Sequence, residues 1–346
     1  MPPRATVVIP SWNGWRFLPG CLDSLARQSF RDFEVLVVDN GSTDGSIPLL
    51  RERYPEVTLI PLQENLGFSA AVNAGILASD TEFVVLLNND TEPDPDWLAA
   101  LVRAAEAHPE AGLFASKLLD HRDRSVLDGA GDALRRGGLP YRLGHRERDR
   151  GQYDRPALVF GACAAAALYR REVFETVGLF DEDFFAYCED GDLSFRAQLA
   201  GFRCRYTPGA VVHHIGSAST GGKRSATATR LGTQNGVNLL VKNLPRELLP
   251  GFLPYFVAAQ LARLAVCATS PRTLKAHLAG LRGAAGMYRK MRAKRREVQA
   301  GRRVSTGYVR QLLAESSRRA NASLRRRMRE RVRERLGDRF ARGGRG

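Results

Sequence analysis

Four groups of polar residues in this sequence carry the side chains that metal binding and proton transfer need. They are Asp39-Asn40-Gly41-Ser42, Asn88-Asn89-Asp90, Glu189-Asp190-Gly191-Asp192 and His213-His214. Carboxylate oxygens hold hard divalent cations such as Mg²⁺ and Mn²⁺, and a neutral imidazole can complete such a ligand set. A carboxylate can also take the proton of an attacking hydroxyl group. The sequence therefore offers a metal site and a general base, provided that the fold brings these groups together.

The elements that must position these groups alternate between strand and helix. Apolar runs typical of buried strands occupy Thr6–Pro10, Phe33–Val38, Val57–Pro61 and Phe83–Leu87. Helical patterns lie between them, first through Leu18, Cys21, Leu22 and Leu25, then over Ile47–Arg53 and Ser69–Ala78. Repetition of strand, helix and strand predicts an α/β fold with a parallel sheet.

Three polar loops directly follow these strands, at Ser11–Gly14, Asp39–Asp44 and Asn88–Asp90. In open parallel sheets the ligand-binding loops lie beyond the carboxyl ends of the strands. We therefore expect the three loops to contribute to one site. Each loop also fits an ordinary turn or helix N-cap, because Asn, Asp and Ser favour both structures.

The middle of the chain gives weaker signals. Residues 120–154 are rich in Arg, Asp and Gly and lack periodicity, which predicts a mobile surface segment with one hairpin. Leu158–Tyr169 is apolar and rich in alanine, which predicts a strand. Gly216–Arg224 is rich in Gly, Ser and Thr and favours a flexible loop that could act as a lid over a site.

The positive charge of the chain is confined to its C-terminal part. Residues 271–346 hold 24 Lys and Arg against 5 Asp and Glu, whereas residues 1–270 hold 28 against 32. The high overall pI is therefore poor evidence for a nucleic-acid-binding protein. The five cysteines are widely spaced and odd in number, and the N-terminus lacks the pattern of a signal peptide. We expect a cytoplasmic protein with reduced thiols.

An apolar segment precedes the Arg-rich end. Leu248–Thr269 contains Pro and polar residues, which favours an interfacial or core-packed helix over a membrane span. An apolar stripe is predicted on the next helix, at Leu274, Leu278, Leu281 and Ala285. Two interpretations of the Arg-rich C-terminal part stay open. It could be a solvated, partly disordered extension, or a segment that binds anionic lipid headgroups. A chain that ends near Pro245 is expected to remain soluble.

Four segments together resemble the family-2 glycosyltransferases, in particular the branch similar to rhamnosyl- and galactofuranosyltransferases. The segments are 7–14 (VVIPSWNG), 37–46 (VVDNGSTDGS), 86–98 (LLNNDTEPDPDWL) and 178–203 (GLFDEDFFAYCEDGDLSFRAQLAGFR), continuing to 211–219 (VVHHIGSAS). The resemblance implies a GT-A domain over residues 1–245, with a Rossmann-like, mostly parallel sheet flanked by helices. Residues 246–346 would then form a helical, Arg-rich extension.

The resemblance also implies a nucleotide-diphosphate sugar as donor. Asp39 would accept a hydrogen bond from N3–H of a uracil- or thymine-type base, with Pro10 and Asn13 completing the base and ribose pocket. Gly67 would let the backbone approach the donor, and the helix start before Asn73 would favour its diphosphate. We expect a dTDP- or UDP-linked sugar, with rhamnose as one candidate, and a glycan or lipid-linked acceptor.

The family's metal-binding Asp-x-Asp motif corresponds to Asn88-Asn89-Asp90, in which Asn88 replaces the first aspartate. The resemblance therefore makes Asp90 the main carboxylate ligand of Mn²⁺ or Mg²⁺, while Asn88 contacts ribose or phosphate. It also places a metal-binding histidine at the His213-His214 pair. Only one of two adjacent strand residues can face a given side, and we expect the ligand to be His213.

The same resemblance places the catalytic residues at the start of a predicted helix. Asp190 is the expected base for an inverting transfer, and Glu189 is expected to bind the acceptor or orient the base. Two other functions stay open: a nucleic-acid-binding protein acting through the Arg-rich tail, and a nucleotidyltransferase. The tail offers few aromatic residues for stacking on bases, and a nucleotidyltransferase leaves the acidic pair and His213 without a shared role. A glycosyltransferase at the inner face of the cell membrane, bound peripherally to anionic lipid, fits best.

Overall fold

A computed structural model describes residues 2–216 and 225–343. The strands are β1 (Ala5–Ser11), β2 (Phe33–Asn40), β3 (Thr58–Leu62), β4 (Phe83–Leu87), β5 (Thr91–Pro93), β6 (Ala111–Asp120), β7 (Leu127–Ala130), β8 (Asp132–Leu134), β9 (Pro140–Arg142), β10 (Ala157–Val159), β11 (Ala166–Arg170) and β12 (Arg203–His214). The helices are α1 (Leu18–Ala26), α2 (Ser46–Arg53), α3 (Phe68–Leu77), α4 (Trp97–Ala107), α5 (Arg171–Val177), α6 (Glu189–Leu199), α7 (Ala226–Asn243), α8 (Leu249–Cys267), α9 (Pro271–Ala300) and α10 (Thr306–Gly343).

The main sheet has the strand order β10-β12-β6-β11-β4-β1-β2-β3, with β5 paired to β12 and β7 to β6. Strands β4, β1, β2 and β3 are parallel, as the alternating pattern predicted. Beyond them β11 runs antiparallel between β4 and β6, while β12 is again parallel to β6. The predicted α/β fold is therefore confirmed, and the sheet is mixed but mostly parallel.

Both faces of the sheet are covered, which explains why its central strands read as continuous apolar runs. Along β1, Val7 and Ile9 belong to the core on the side of α1 and α4. Val8, between them, belongs to the core on the side of α3, because successive side chains of a strand point to opposite faces. The strand ends are thereby held in register, and the loops that follow them are fixed at one edge.

Residues 120–154 are not the mobile surface segment that their composition predicted. They form β7 and the β8–β9 hairpin, and the hairpin part of the prediction is confirmed. Glu147 is fully buried and accepts hydrogen bonds from Ser323 and Arg326 of α10. Its buried apolar residues belong to very short strands and a turn, where they alternate irregularly with polar residues and leave no periodicity to detect: Leu127, Ala130, Ala133, Leu134 and Leu143. Leu158–Tyr169, predicted as a strand, is divided into β10 and β11.

The C-terminal helices pack against the rest of the protein. Val309 and Leu313 of α10 are almost fully buried, in one apolar cluster with Phe195 of α6 and Leu239 of α7. Helices α8 to α10, as far as their side chains are described, therefore contribute to the core of the protein, and a solvated extension is a wrong interpretation of this part. A chain ending near Pro245 would expose this cluster, so the expectation that it remains soluble is corrected as well.

Helix α9 contacts α7 through small residues and not through the predicted leucine stripe. Its buried face contains Ala276, Gly280 and Ala284, whereas Leu278 is 50% exposed. A Cβ atom on Gly280 would lie 2.5 Å from the carbonyl oxygen of Arg230. At Gly280 the two helices approach so closely that only a small side chain fits, although His277 of α9 is also buried and its Nδ1 lies 3.0 Å from Thr233 Oγ1 of α7. The close approach depends on glycine and alanine, which the spacing of the leucines does not reveal.

Helix α8 is mostly exposed, and only Phe252 and Cys267 among its residues are buried. Length and composition would let Arg246–Cys267 cross a membrane, and only 6% of this apolar segment is buried. Such a finding for a single helix is weak evidence of a span, but it excludes the core-packed alternative. The predicted lid at Gly216–Arg224 lies, apart from Gly216, outside the described residues.

Candidate active site

The loops after β1 and β2 are bonded to each other. The Asn13 backbone N–H donates to Ser42 Oγ (2.8 Å), and the Thr43 N–H donates to Asn13 Oδ1 (2.8 Å). Asn13 has a φ of 49°, which asparagine tolerates better than most residues. Pro10 lies at the end of β1, opposite Val38 of β2. The predicted donor-pocket residues of both loops thus belong to one continuous surface.

Asp39 is fully buried beside these loops, and its two carboxylate oxygens have different surroundings. Its Oδ1 accepts a hydrogen bond from the Ser42 N–H (2.9 Å), as a turn residue would. Its Oδ2 is also buried, and no group in the described part of the chain donates to it. A buried carboxylate oxygen without a donor is costly, so this atom marks a place where a ligand N–H fits.

The segment around Gly67 contacts the loop that precedes α6. Gly67 has a φ of 91°, and a Cβ there would lie 2.6 Å from the ring of Phe185. The N–H groups of Phe68 and Ser69, at the start of α3, donate to the Phe185 carbonyl oxygen (2.6 and 3.3 Å). The resemblance predicted that Gly67 and the start of α3 would lie against the donor diphosphate. In the structure Phe185 lies against both.

Asn73 is likewise engaged by the chain itself. Its Nδ2 donates to the Phe180 carbonyl (2.9 Å) and to Glu182 (3.0 Å), and its Oδ1 accepts from the Phe180 N–H (3.0 Å). Its side chain is almost fully buried. Nothing in this position supports donor binding, and the structure gives Asn73 the task of holding the segment before α6.

Asp90 and His214 face each other at the end of β4 and β12. His214 Nε2 lies 3.4 Å from Asp90 Oδ1 without forming a hydrogen bond, and both side chains are more than nine-tenths buried. Asn88, on the same loop, is bonded through its backbone to Ala165 and Thr91, and its side chain is half-buried. Asn89 instead points inward and donates to Ser11 Oγ (2.9 Å).

The histidine that faces Asp90 is His214, whereas the sequence favoured His213. His213 points to the other side of β12, where its Nε2 bonds Asp94 Oδ1 (2.9 Å). Adjacent strand residues alternate between faces, so only one histidine can face Asp90, and the geometry favours His214 over the predicted His213. Burial lowers the pKa of His214, but its contacts with Asp128 and Asp90 outweigh burial and raise that pKa.

Asp128 and Arg142, from the segment predicted to be mobile, complete this part of the site. Asp128 Oδ2 lies 2.7 Å from His214 Nδ1 and accepts from Arg142 Nη1, and its Oδ1 lies 3.0 Å from His145 Nδ1. Burial opposes ionisation, but Arg142 and the two imidazoles hold the pKa of Asp128 well below its usual range. Sequence reasoning missed these residues because they stand in no motif, and a carboxylate in the otherwise apolar run Val126–Ala130 was the available signal.

Glu189 and Asp190 form the first turn of α6, directly after a strained loop. Cys188, just before the helix, has a φ of 69°. Burial and the neighbouring Asp190 raise the pKa of Glu189 to about 8. Burial also raises the pKa of Asp190, but the Arg142 guanidinium opposes this rise. At neutral pH a shared proton therefore resides on Glu189, which leaves Asp190 as the member of the pair that can act as a base.

The strained loop is held by one residue of α7. Asn235 is fully buried, and its Nδ2 lies within hydrogen-bonding distance of the carbonyl oxygens of Phe184 (2.7 Å), Ala186 (2.9 Å) and Tyr187 (2.8 Å). Sequence reasoning did not single out Asn235, because a lone asparagine in a helical pattern carries no recognisable signal. The acidic pair at the start of α6 is thus positioned by the helix that follows the predicted lid.

A second group of possible metal ligands surrounds Asp190. One ligand atom each from Asp132, Cys163 and Asp190 lies within 4.8 Å of the others. Arg142 Nη2 donates to Cys163 Sγ (2.8 Å), so a guanidinium already supplies positive charge to this group. Among the described residues, the facing atoms of Asp90 and His214 are therefore the better candidates for holding a divalent cation.

Comparison with known proteins agrees with this geometry. The family model described as glycosyl transferase family 2 matches residues 6–178. N-acetylglucosaminyl-diphospho-decaprenol L-rhamnosyltransferase of Mycobacterium tuberculosis is 35% identical over 240 residues, and the alignment covers 62% of this chain and 77% of that protein. No comparison supports the nucleic-acid-binding alternative.

Two solved structures show the same fold at low sequence identity. The mannosyltransferase PcManGT of Pyrobaculum calidifontis superposes with a TM-score of 0.50 at 23% identity, over 87% of this chain and 86% of its own. GalNAc-T7 superposes with a TM-score of 0.60 at 16% identity, over 83% of this chain and 56% of its own. Together with the family match and the rhamnosyltransferase relative, they lead to the conclusion that the chain belongs to glycosyl transferase family 2 and is a glycosyltransferase of the GT-A fold.

Proposed function

We propose that this enzyme transfers a sugar from a nucleotide-diphosphate donor to the hydroxyl group of a lipid-linked or glycan acceptor, with inversion at the anomeric carbon. The main support is the presence of two sets of side chains, Asp90 and His214 for a cation and the acidic pair Glu189–Asp190 for proton transfer. The M. tuberculosis relative is named for rhamnose transfer to a lipid-linked acceptor, which makes rhamnose and a polyprenyl diphosphate the first candidates.

The donor base in this proposal is uracil or thymine. Asp39 Oδ2 is a buried acceptor that needs a donor, and the imide N–H of either base supplies one. Asn13 and Pro10 border the same surface. UDP- and dTDP-sugars both satisfy this requirement, since the two bases present the same N–H.

Asp90 and His214 would hold the divalent cation, Mn²⁺ or Mg²⁺. An acidic oxygen and a buried imidazole nitrogen that face each other at 3.4 Å suit such an ion. The solved structures of PcManGT and GalNAc-T7 both contain Mn²⁺. When bound, the ion would neutralise the charge that develops on the diphosphate leaving group.

The acidic pair supplies the proton chemistry. As the acceptor oxygen forms its bond to the anomeric carbon, the bond from that carbon to the diphosphate oxygen breaks on the opposite side. Asp190 takes the proton of the acceptor hydroxyl. Glu189, which is protonated at neutral pH, can donate a hydrogen bond to the acceptor or to Asp190. One displacement with one base inverts the anomeric configuration.

A panel of UDP- and dTDP-sugars, scored by released nucleoside diphosphate, tests the donor assignment. Release should require a pyrimidine nucleotide and should fall when Asp39 is replaced by Asn, which presents an uncharged acceptor. Equal release from GDP- and UDP-sugars would exclude the proposed role of Asp39.

We also infer a peripheral position at the inner face of the cell membrane. Leu253, Val257 and Leu261 are spaced by four on α8 and are 59%, 47% and 60% exposed. The exposed cations Arg272 and Lys275 follow α8 at the start of α9. An apolar stripe next to positive charge suits a bilayer surface with anionic headgroups.

Co-sedimentation with vesicles tests this location. The full chain should pellet with phosphatidylglycerol vesicles, less so in high salt, because screening weakens the contribution of the cations. Replacing both Leu253 and Leu261 with Asp should abolish pelleting, whereas Leu77→Asp, at an even more exposed apolar position of α3, should leave it unchanged. Failure of the unaltered chain to pellet would refute membrane association.

A further inference from the structure

We propose that Asp128 is the positioning residue that holds His214 as a metal ligand and couples the metal site to the catalytic base. The inference rests on the proposed function of His214 and goes beyond it, because it concerns a residue outside every recognised motif. Asp128 lies on β7, a short strand at the margin of the main sheet. Its carboxylate contacts three side chains, those of His214, Arg142 and His145.

The contacts of Asp128 leave its carboxylate little freedom. Its Oδ2 lies 2.7 Å from His214 Nδ1 and accepts a bond from Arg142, while its Oδ1 lies 3.0 Å from His145 Nδ1. The side chain of Asp128 is only 11% exposed. One guanidinium and two imidazoles therefore fix both oxygens of the carboxylate from different directions.

This arrangement determines which nitrogen of His214 can bind a cation. A carboxylate paired with a guanidinium is ionised and can only accept hydrogen bonds. Nδ1 of His214 must therefore carry the hydrogen, so in the neutral ring the lone pair is on Nε2. Nε2 is the atom that faces Asp90. Carboxylates that bond the far nitrogen of a metal-binding histidine commonly orient the ring and raise its basicity as a ligand.

The same carboxylate connects the cation site to the base. Arg142 bonds Asp128 through Nη1 and Cys163 Sγ through Nη2 (2.8 Å). Cys163 Sγ in turn lies within 4.8 Å of a carboxylate oxygen of Asp190. Asp128 thus contacts the proposed metal ligand His214 directly and is connected to Asp190 through Arg142 and Cys163. Movement of Asp128 would displace both the metal site and the base.

The test compares Mn²⁺ binding by the full-length protein and three variants, measured as free Mn²⁺ by electron paramagnetic resonance, with and without UDP or dTDP. Asp128→Asn keeps the size of the side chain and removes its charge, and it should weaken Mn²⁺ binding by about 10- to 100-fold. Asp149→Asn is the matched control, because Asp149 pairs with Lys117 in the same part of the chain and does not contact His214. It should leave Mn²⁺ affinity unchanged even if it lowers Tm.

His214→Ala separates this inference from the function on which it rests. Loss of Mn²⁺ binding in both His214→Ala and Asp128→Asn supports the positioning role. Loss in His214→Ala alone, with Asp128→Asn binding Mn²⁺ normally, would overturn the role of Asp128 and leave the metal ligand intact. Normal binding in His214→Ala would refute the metal ligand itself. A lower Tm in Asp128→Asn with unchanged Mn²⁺ affinity would show a structural role only.

Discussion

Replacing Asp190 with Asn should reduce the rate of sugar transfer by about 10²–10⁴, the usual cost of removing a positioned general base. Donor affinity should stay close to that of the unaltered enzyme, because the variant keeps the shape of the side chain and Asp190 lies apart from the Asp39 pocket. The measurement is kcat together with the dissociation constant of the nucleoside diphosphate. Turnover within a few-fold of normal would remove Asp190 from the role of base.

Glu189→Gln is the matched control for that variant. Because burial and Asp190 raise the pKa of Glu189 to about 8, its carboxyl group is protonated at neutral pH, and the neutral amide resembles it. The loss of rate should therefore be much smaller than in Asp190→Asn. The reverse order of the two losses would assign the base to Glu189.

Removing either proposed metal ligand should have an effect of comparable size. Asp90→Ala and His214→Ala each take away charge stabilisation of the leaving group worth several kcal/mol, or about 10²–10³ in rate. Chelator should stop the unaltered enzyme, and Mn²⁺ or Mg²⁺ should restore it. The variants should need far more metal for the same restoration, which a titration of rate against Mn²⁺ measures.

His213→Ala is the control that tests whether the metal requirement depends on the histidine that faces Asp90. His213 is equally buried and adjacent in sequence, but its ring bonds Asp94 on the other face of β12. Its removal should leave the metal requirement unchanged. A metal requirement altered by His213→Ala and not by His214→Ala would reverse the correction made from the structure, and full activity in excess chelator would refute the metal site.

The strands and polar loops of the N-terminal half could be predicted because the residues that define them are close together in the sequence. Continuous apolar runs identify β1, β2 and β4, and the polar residues that follow them must lie at one sheet edge. Asp39 and Asp90 were found by this argument and lie, buried, where it placed them. The same argument could not say which of two adjacent histidines faces Asp90, because that depends on how β12 pairs with its neighbours.

The remaining site residues depend on contacts between distant parts of the chain. Asp128 becomes significant only where β7 lies beside β12, and Asn235 only where α7 meets the loop before α6. The burial of Glu147 requires α10, about 180 residues later. No periodicity in the segment itself reports such partners, so polar, ordered residues were mistaken for a mobile surface.

The most direct test of the account is the configuration of the product formed by the full-length enzyme. A UDP- or dTDP-sugar that releases nucleoside diphosphate is incubated with a sugar-diphospho-polyprenol acceptor, and the anomeric one-bond carbon–proton coupling of the product is measured by NMR. Transfer should depend on acceptor and divalent metal, and the product should have the anomeric configuration opposite to that of the donor. A product with retained configuration would contradict single displacement with Asp190 as the base.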